Sequence, residues 1–286
     1  SLGTAIAPII GASFLLSDTV KTKEEINLLS ELEKITYYVS EAAAVQKPFL
    51  VLSVSVLFFA VLFAFIKLPA IIKKVNTSDY VSLLKDKILM MGAFGIMLYV
   101  GAEVAIGSYL VNYFIDMNIE QSIQSTRWMQ NIAIGLLNED LASLDKKAIV
   151  GAFVTFYWSG AMIGRFIGAY LTRVFFPSKV LAIFALGALA LIILSMNTTG
   201  LISMWSILGV GLFNSIMFPT IFTLSISHID EQKPQASGIL CTMIVGGAII
   251  PPLYGYAIDL AGFKLAMLLL LTCYSYIYFF ARSVKN

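Results

Sequence analysis

The sequence predicts an all-α polytopic membrane protein with about eight transmembrane helices. Apolar residues make up 59% of the 286 residues, and the mean hydropathy is +0.87. Charged residues make up 13%, about half of the share that is usual in soluble proteins. They are clustered and leave uncharged stretches long enough to cross a bilayer, which takes about 20 helical residues. A soluble globular fold is therefore excluded.

The uncharged stretches locate the helices in order, because an unpaired charge in hydrocarbon is costly. Residues 1–17 and 48–66 carry no charge, and 88–115 carries only Glu103. The stretch 180–227 is 48 residues long and contains the polar turn 197–200, so it predicts two helices. The other uncharged stretches are 148–164, 234–258 and 265–281. The predicted helices lie near 1–16, 49–66, 88–114, 147–172, 178–196, 201–226, 237–258 and 263–281.

The charges between the helices predict the orientation. Of the 19 Lys and Arg residues, ten lie in the connections 67–87, 173–179 and 227–236 and the end 282–286, against eight on the opposite side. Cytoplasmic segments are enriched in Lys and Arg, so we expect 67–87 to lie in the cytoplasm.

The charged segment 67–87 is also the predicted boundary between two halves of a transporter. It separates the last two helices of an N-terminal half, in 1–66, from a C-terminal half in 88–286. Six helices in 88–281 are the size of one half of a twelve-helix transporter built from two parallel halves. The chain opens inside an apolar helix, so we expect it to be a fragment of a longer protein or a natural truncation that lacks the first four helices.

Glu103 is the first candidate for a functional residue. At about 1.5 Å per residue, it lies roughly 22 Å from Ile88 and roughly 17 Å from Phe114, near the bilayer midplane. A carboxylate at that depth must face a polar cavity, pair with a cation or stay protonated. It is either a ligand for a polar substrate or coupling ion, or a structural carboxyl group hydrogen-bonded between helices.

Three other polar residues inside predicted helices are candidate substrate or ion ligands. Asn112 and Tyr113 follow Glu103 along one helix, although a Tyr near a helix end is also typical of an interfacial anchor. Asn214 lies five residues before Pro219, in a helix that this proline interrupts. Interrupted helices commonly line the binding cavity of a transporter, whereas the alternative is a plain packing kink.

A second group of residues is expected to act in conformational change rather than in binding. Glycines at 160, 164 and 168 make one smooth helix face, beside which Arg165 either extends toward the interface or caps backbone carbonyl groups. Pro219 is a candidate hinge, and the seventh helix carries Gly and Pro residues that allow bending. The predicted hinge residues are Arg165, Gly164, Gly168, Pro219, Gly246, Gly247 and Pro251.

Other function classes find no support in the sequence. The net charge is only +2, which argues against a nucleic-acid partner. The two cysteines, Cys241 and Cys273, lie in apolar surroundings, and we expect no catalytic residue, no metal site and no cofactor. The only histidine, His228, is expected to be a solvated surface residue in a loop.

Four motifs on four different helices resemble the bacterial fucose, glucose and galactose permeases of the major facilitator superfamily. They are 99–110 (YVGAEVAIGSYL), 160–168 (GAMIGRFIG), 213–222 (FNSIMFPTIF) and 244–252 (IVGGAIIPP). Within the group, Glu103 and Phe218 are more similar to the glucose/galactose branch, because the fucose carrier has Gln and Tyr at the matching places. In the fucose branch, the essential carboxylates lie on the first and fourth helices.

The resemblance implies a cation-coupled hexose uptake permease of the bacterial inner membrane that works by alternating access. The coupling cation is a proton or sodium, the sugar is glucose or galactose, and the protein is expected to act as a monomer in the lipid bilayer. One alternative is an L-fucose:proton symporter. The other is a non-transporting sugar sensor or an inactive truncated remnant.

Overall fold

A computed structural model describes residues 28–66, 77–137, 141, 144 and 146–284. Within these residues the chain is helical and contains no strand, which confirms the predicted fold class. The helices are α1 (Glu31–Phe65), α2 (Thr77–Leu83), α3 (Lys87–Asp116), α4 (Ile119–Ser125), α5 (Arg127–Leu137), α6 (Lys146–Val174), α7 (Pro177–Asn197), α8 (Gly200–Asn214), α9 (Met217–Ile226), α10 (Lys233–Thr242) and α11 (Gly246–Ser283).

The chain divides into two compact units, and α1 belongs to the smaller one. The Ser30 hydroxyl caps α1 by accepting a hydrogen bond from the Glu33 N–H, while the Glu33 carboxylate accepts one from the Ser30 N–H. This reciprocal cap starts the helix well before the predicted bound of 49, because sequence polarity shows where the apolar part begins and not where the helix begins. The apolar part is Phe49–Phe65. The predicted helix near 1–16 lies outside the described residues.

The larger unit contains the other predicted spans. Five stretches of the described residues are long and apolar enough to cross a membrane. Four of them match the predicted helices within about two residues at each end, a difference within the usual uncertainty of helix bounds. These four are Lys87–Asp116, Lys146–Val174, Pro177–Asn197 and Gly200–Ile226.

The fifth stretch, Lys233–Ser283, is 51 residues long and contains the two predicted helices near 237–258 and 263–281. Gly262 separates them, because its φ of 80° is not helical. Glycine adopts such a backbone conformation at little cost, since it has no Cβ. A short 3₁₀ segment, Met243–Val245, further interrupts the seventh predicted helix in its N-terminal part.

The segment 115–146 differs from the loop that the charges predict, because it contains the helices α4 and α5. Ile119, Ile123 and Met129 are fully buried and fix these helices against the spans. Trp128 stacks on Trp205 with ring centroids 6.2 Å apart. Charge counting finds helices of membrane-spanning length and misses short ones that pack on the ends of the bundle.

Glycines allow two pairs of spans to approach each other closely. Between α3 and α11, a Cβ at Gly246 would overlap the Met97 carbonyl group, and one at Gly101 would overlap Ile250. Between α6 and α8, a Cβ at Gly211 would overlap the Tyr157 carbonyl group. Membrane helices associate through packing of this kind, because lipid gives them no hydrophobic drive to associate.

Gly246→Ala should therefore destabilise the protein more than Gly238→Ala does. The added methyl group at 246 meets backbone that cannot move aside, and overpacking of this kind costs about 1–3 kcal/mol. At Gly238 nothing lies within 4 Å of the added methyl group. The check is the melting temperature of the two variants in detergent. Equal melting temperatures would contradict the close α3–α11 approach.

His228, which the sequence predicted to be a solvated surface residue, links the start of α3 to the connection between α9 and α10. These are predicted cytoplasmic ends of the helices. The His228 Nε2 lies 2.7 Å from Asp86 Oδ2. Asp86 also caps α3, since its carboxylate accepts a hydrogen bond of 2.8 Å from the Leu89 N–H. Partial burial raises the pKa of Asp86, but the hydrogen bonds from Leu89 and His228 outweigh it and hold the pKa below its usual value.

Asp86→Ala should destabilise the protein by about 1 kcal/mol, because loss of an N-cap costs about that much. The pKa of the Asp86 carboxyl group is lowered in the folded protein, so its stabilisation is complete at neutral pH. It is lost as the pH falls below the unfolded value near 3.8 toward the lower folded value. The difference in melting temperature between the wild type and the variant should hold at neutral pH and narrow only in acid.

A matched control is Asp230→Ala, because the Asp230 side chain is 93% exposed and lies 3.9 Å from Lys233. Its melting temperature should stay close to that of the wild type. An equal loss in both variants would mean that the Asp86 cap contributes nothing specific.

Candidate functional site

The candidate site is built around a break in the helix that spans 200–226. Helix α8 ends at Asn214, and α9 begins at Met217 after a turn of two residues. Pro219 has no N–H and cannot bond the Ser215 carbonyl group four residues earlier. The Asn214 carbonyl oxygen accepts a hydrogen bond of 2.9 Å from the Tyr99 hydroxyl group of α3. A neighbouring helix thus satisfies a backbone group at the break.

The Asn214 side chain is fully buried and has a partner on each side. Its Nδ2 donates a hydrogen bond of 2.7 Å to the Tyr157 hydroxyl group of α6. Its Oδ1 accepts a hydrogen bond of 2.7 Å from the Tyr274 hydroxyl group of α11. We call Tyr99, Tyr157, Asn214 and Tyr274 the tyrosine–asparagine cluster. It joins four membrane-spanning segments through polar contacts.

Glu103 lies at the edge of the tyrosine–asparagine cluster, one helical turn after Tyr99. Residues four positions apart are neighbours on a helix surface, so Tyr99 and Glu103 share one face of α3. The Tyr157 hydroxyl group lies 3.4 Å from the Glu103 carbonyl oxygen. Glu103 is partly buried, whereas Asn214 is fully buried. The structure therefore brings together Glu103 and Asn214, two residues that the sequence predicted separately.

A buried hydroxyl group beside the break has no partner among the described residues. Ser215 is 2% exposed, and its Oγ makes no hydrogen bond. Ser215 lies where the end of α8 meets Gly164 of α6. A Cβ added at Gly164 would overlap the Leu212 carbonyl oxygen. An unpaired polar group in such a position costs about 1–3 kcal/mol.

The chemistry of these groups suits a neutral ligand with many hydroxyl groups and a small cation. Hydroxyl, amide and carboxyl groups provide both donors and acceptors of hydrogen bonds. A carboxyl group in the membrane can hold a proton or bind a cation. In the part of the chain that the structure describes, no group of three His, Cys, Asp or Glu side chains is placed to hold a metal ion.

The structure does not bring Asn112 to the same place as Glu103. Nine residues separate the two, and at about 100° per residue they point in opposite directions from α3. The Asn112 side chain is exposed on the surface of this unit. Its predicted role as a ligand is thus separate from the tyrosine–asparagine cluster.

Tyr113 lies in a different polar contact, near the opposite end of α3 from Asp86. Its hydroxyl group lies 2.7 Å from the Ser203 Oγ and 3.3 Å from the Ser195 Oγ. The cavity that it lines has a volume of about 10 Å³, which is room for about one water molecule. In this structure Tyr113 joins α3 to α7 and α8, and a role in binding a substrate stays a prediction.

The predicted hinge residues lie in contacts between helices. Gly164 and Gly168 of α6 face Leu212, Ser215 and Ile216 so closely that a Cβ at either would overlap them. A Cβ at Gly247 would lie 3.3 Å from Val100 Cγ1. In α11, Pro251 is buried four residues after Gly247, whereas Pro219 and Arg165 are exposed. Their role in conformational change stays a prediction.

Sequence reasoning missed the three tyrosines of the cluster. Tyr in a membrane protein usually marks the interface, at the end of a helix. Tyr99 and Tyr157 each lie at least ten residues from either end of their helices, α3 and α6. Tyr274 lies twelve residues after the Gly262 turn. This distance from the helix ends was the signal that could have found them.

Tyr274→Phe should destabilise the protein, because it leaves the buried Asn214 Oδ1 without a partner. The expected cost is about 1–3 kcal/mol. Tyr276→Phe is the matched control, because Tyr276 is on the same helix and donates only to the Met91 carbonyl oxygen. That oxygen lies inside α3 and keeps its helical partner. The check is the melting temperature of both variants, and a larger loss for Tyr276→Phe would contradict the arrangement.

Comparisons with known proteins place this architecture in a family. No family model matches the chain. The glucose/galactose transporter of Brucella abortus is 38% identical over 283 residues, which are 98% of this chain and 60% of the relative. The L-fucose-proton symporter of Escherichia coli is 29% identical over 293 residues, which are 99% of this chain and 61% of the relative.

Solved structures agree with these relatives. FucP, a major facilitator superfamily transporter crystallised in the outward conformation, superimposes with a TM-score of 0.68 at 26% identity. The match covers 100% of this chain and 66% of that one. The chain thus spans about 60% of the length of the curated relatives it matches.

The relatives are transporters and symporters rather than enzymes, which confirms the expectation that the chain is not an enzyme. Its apolar spans and its bacterial transporter relatives make it a multi-pass protein of the plasma membrane. The four sequence motifs, the helical architecture and these relatives lead to one conclusion. The chain belongs to the fucose, glucose and galactose permease family of the major facilitator superfamily.

Proposed function

We propose that the chain forms the C-terminal part of a cation-coupled hexose uptake permease that prefers glucose or galactose. The observation that carries the proposal is the position of Glu103 beside the tyrosine–asparagine cluster, inside membrane-spanning helices. Buried polar groups in a membrane are costly and are kept where they serve a pathway. The names of the relatives support a sugar as the substrate.

The polar groups suit a hexose because each sugar hydroxyl group both donates and accepts hydrogen bonds. In this proposal the Glu103 carboxylate accepts hydrogen bonds from sugar hydroxyl groups. Asn214 binds the sugar when a sugar hydroxyl group replaces the hydroxyl group of one of its tyrosine partners. The exchange costs little, because a tyrosine hydroxyl and a sugar hydroxyl offer the amide similar hydrogen bonds. The chain supplies only part of the site, and the rest belongs to the other half of the carrier.

The coupling cation acts at Glu103 in the second part of the proposal. The L-fucose relative is named a proton symporter, which supports a proton. Sodium is the other candidate, since a carboxylate in the membrane binds either cation. Binding of the cation would neutralise the carboxylate and lower the cost of keeping it away from water.

Alternating access is the proposed mode of action. Two halves of the carrier, with their boundary in 67–87, would rock about the sugar and open the site to each side in turn. The close glycine contacts at Gly164, Gly168 and Gly246 would be the seams along which helices shift. We propose that one monomer is the working unit.

L-Fucose is the alternative sugar, supported by the similarity to the L-fucose-proton symporter and to FucP. Competition distinguishes the sugars. Uptake of radiolabelled galactose into vesicles that contain the complete protein should fall when unlabelled glucose is added and should change little with L-fucose. The opposite order would support the L-fucose alternative.

Glu103→Gln should reduce sugar uptake at least about tenfold, because a hydrogen bond to a charged group contributes about 1.5–3 kcal/mol. If the coupling cation is a proton, the variant should also weaken the dependence of uptake on pH. If the cation is sodium, it should weaken the dependence of uptake on sodium concentration at fixed pH. Glutamine keeps the shape of the side chain and removes its charge. The measurement is initial uptake at varied pH and sodium.

The matched control is Glu231→Gln, because Glu231 is an exposed acid in the connection before α10. Its uptake should equal that of the wild type. Should Glu103→Gln leave both uptake and ion dependence intact, the central assignment is wrong.

A further inference from the structure

A groove lies between α7 and the end of α11, and no residue of the tyrosine–asparagine cluster lines it. Its volume is about 630 Å³. Both helices contribute one basic residue, Lys179 from the first turn of α7 and Arg282 from the last turn of α11. Tyr278 also lines the groove, as do Ile183 and Leu186.

The two basic side chains are available to an anion. Both are exposed, and neither forms an ion pair with an acidic side chain among the residues that the structure describes. The Lys179 ammonium lies 5.0 Å from the centroid of the Phe176 ring, a contact that leaves its charge in place. The groove therefore has a net positive charge.

The position of the groove in the membrane limits what can reach it. Lys179 and Arg282 belong to 173–179 and 282–286, which the charge pattern places at the cytoplasmic face. From Lys179 the wall continues along α7 into the membrane-spanning segment, through Ile183, which is 63% exposed, and Leu186, which is 48% exposed. A charged mouth at the interface thus leads to an apolar wall that faces lipid.

We propose that this groove binds an anionic phospholipid of the cytoplasmic leaflet. The phosphate group lies between Lys179 and Arg282, and one acyl chain follows Ile183 and Leu186. Basic pockets between membrane helices on the cytoplasmic side suit anionic headgroups. The apolar wall favours a lipid over a free phosphate ion, because inorganic phosphate would leave that wall unused.

The bound lipid would bridge the start of α7 and the end of α11. The two helices are far apart in sequence, yet both line this groove, so a shared phosphate would hold their ends together. We therefore expect the lipid to raise the melting temperature. Zwitterionic lipid offers the same acyl chains without net negative charge and should have a smaller effect.

The test uses the complete protein, purified in detergent and titrated with phosphatidylglycerol or phosphatidylcholine of identical acyl chains. Lipid adducts are counted by native mass spectrometry, and the melting temperature is recorded at each step. Lys179→Gln with Arg282→Gln should weaken phosphatidylglycerol binding about tenfold or more, since each basic residue near the surface adds to the attraction. The same variant should bind phosphatidylcholine as the wild type does.

Two further variants keep the test decisive. Lys87→Gln with Lys233→Gln removes two exposed charges from the same face outside the groove, and it should keep the preference for phosphatidylglycerol. Lys179→Arg with Arg282→Lys keeps the charges and should keep the binding, which separates loss of charge from loss of folding.

The proposal is overturned if the Gln variant keeps the wild-type preference, or if the control pair loses it equally. It is also overturned if inorganic phosphate at millimolar concentration displaces the lipid and gives the same rise in melting temperature, because the groove would then be a site for a free anion. None of these readouts uses transport, so failure here leaves the proposed hexose permease untouched.

Discussion

The pairing of the buried polar groups of Asn214, at the break between α8 and α9, is the constraint on which the rest of the larger unit depends. The bilayer offers no water to an unpaired carbonyl or amide group, so a break in a membrane helix persists only where protein supplies the partners. Tyr99 bonds the Asn214 carbonyl oxygen, while Tyr157 and Tyr274 bond the Asn214 side chain. Each tyrosine comes from a different membrane-spanning segment. A local defect in one helix thereby becomes a contact that fixes the positions of four.

The glycine contacts make this arrangement possible, because a tyrosine hydroxyl group reaches Asn214 only when the backbones lie close together. Gly211 lies against the Tyr157 carbonyl group on the same seam that carries Asn214. On the α3–α11 seam, Gly246 meets Met97, two residues before Tyr99. The same small residues that allow close packing leave smooth surfaces along which helices can shift. In the proposed transport cycle, packing and movement would place the same demand on these positions, which fits the tight contacts at glycines expected to be hinges.

Charge patterning was enough to predict the spans of the larger unit, because the cost of a charge in lipid acts on each residue by itself. It missed α4 and α5, which are stabilised by burial at the end of the bundle. Glu103 and Asn214 could be identified because each is a polar residue inside an apolar helix. Glu103 and Asn214 lie close together because of how α3 and α8 pack, and the sequence of one helix alone does not show that packing. The separation of Asn112 from Glu103 follows from the helical repeat alone, whereas the three tyrosines were hidden by the usual role of tyrosine at the interface.

The central claim of the proposal is that Asn214 of the tyrosine–asparagine cluster binds the sugar in place of a tyrosine partner. The most direct measurement is a double-mutant cycle on galactose affinity in the complete protein, with Tyr157→Phe, Asn214→Ala and the two combined. If the Asn214 amide binds sugar in the place that its tyrosine partner holds, the effects of the two substitutions are coupled by about 0.5 kcal/mol or more. The account would be contradicted if the two substitutions changed the free energy of galactose binding additively. It would also be contradicted if all three variants bound galactose with the wild-type affinity.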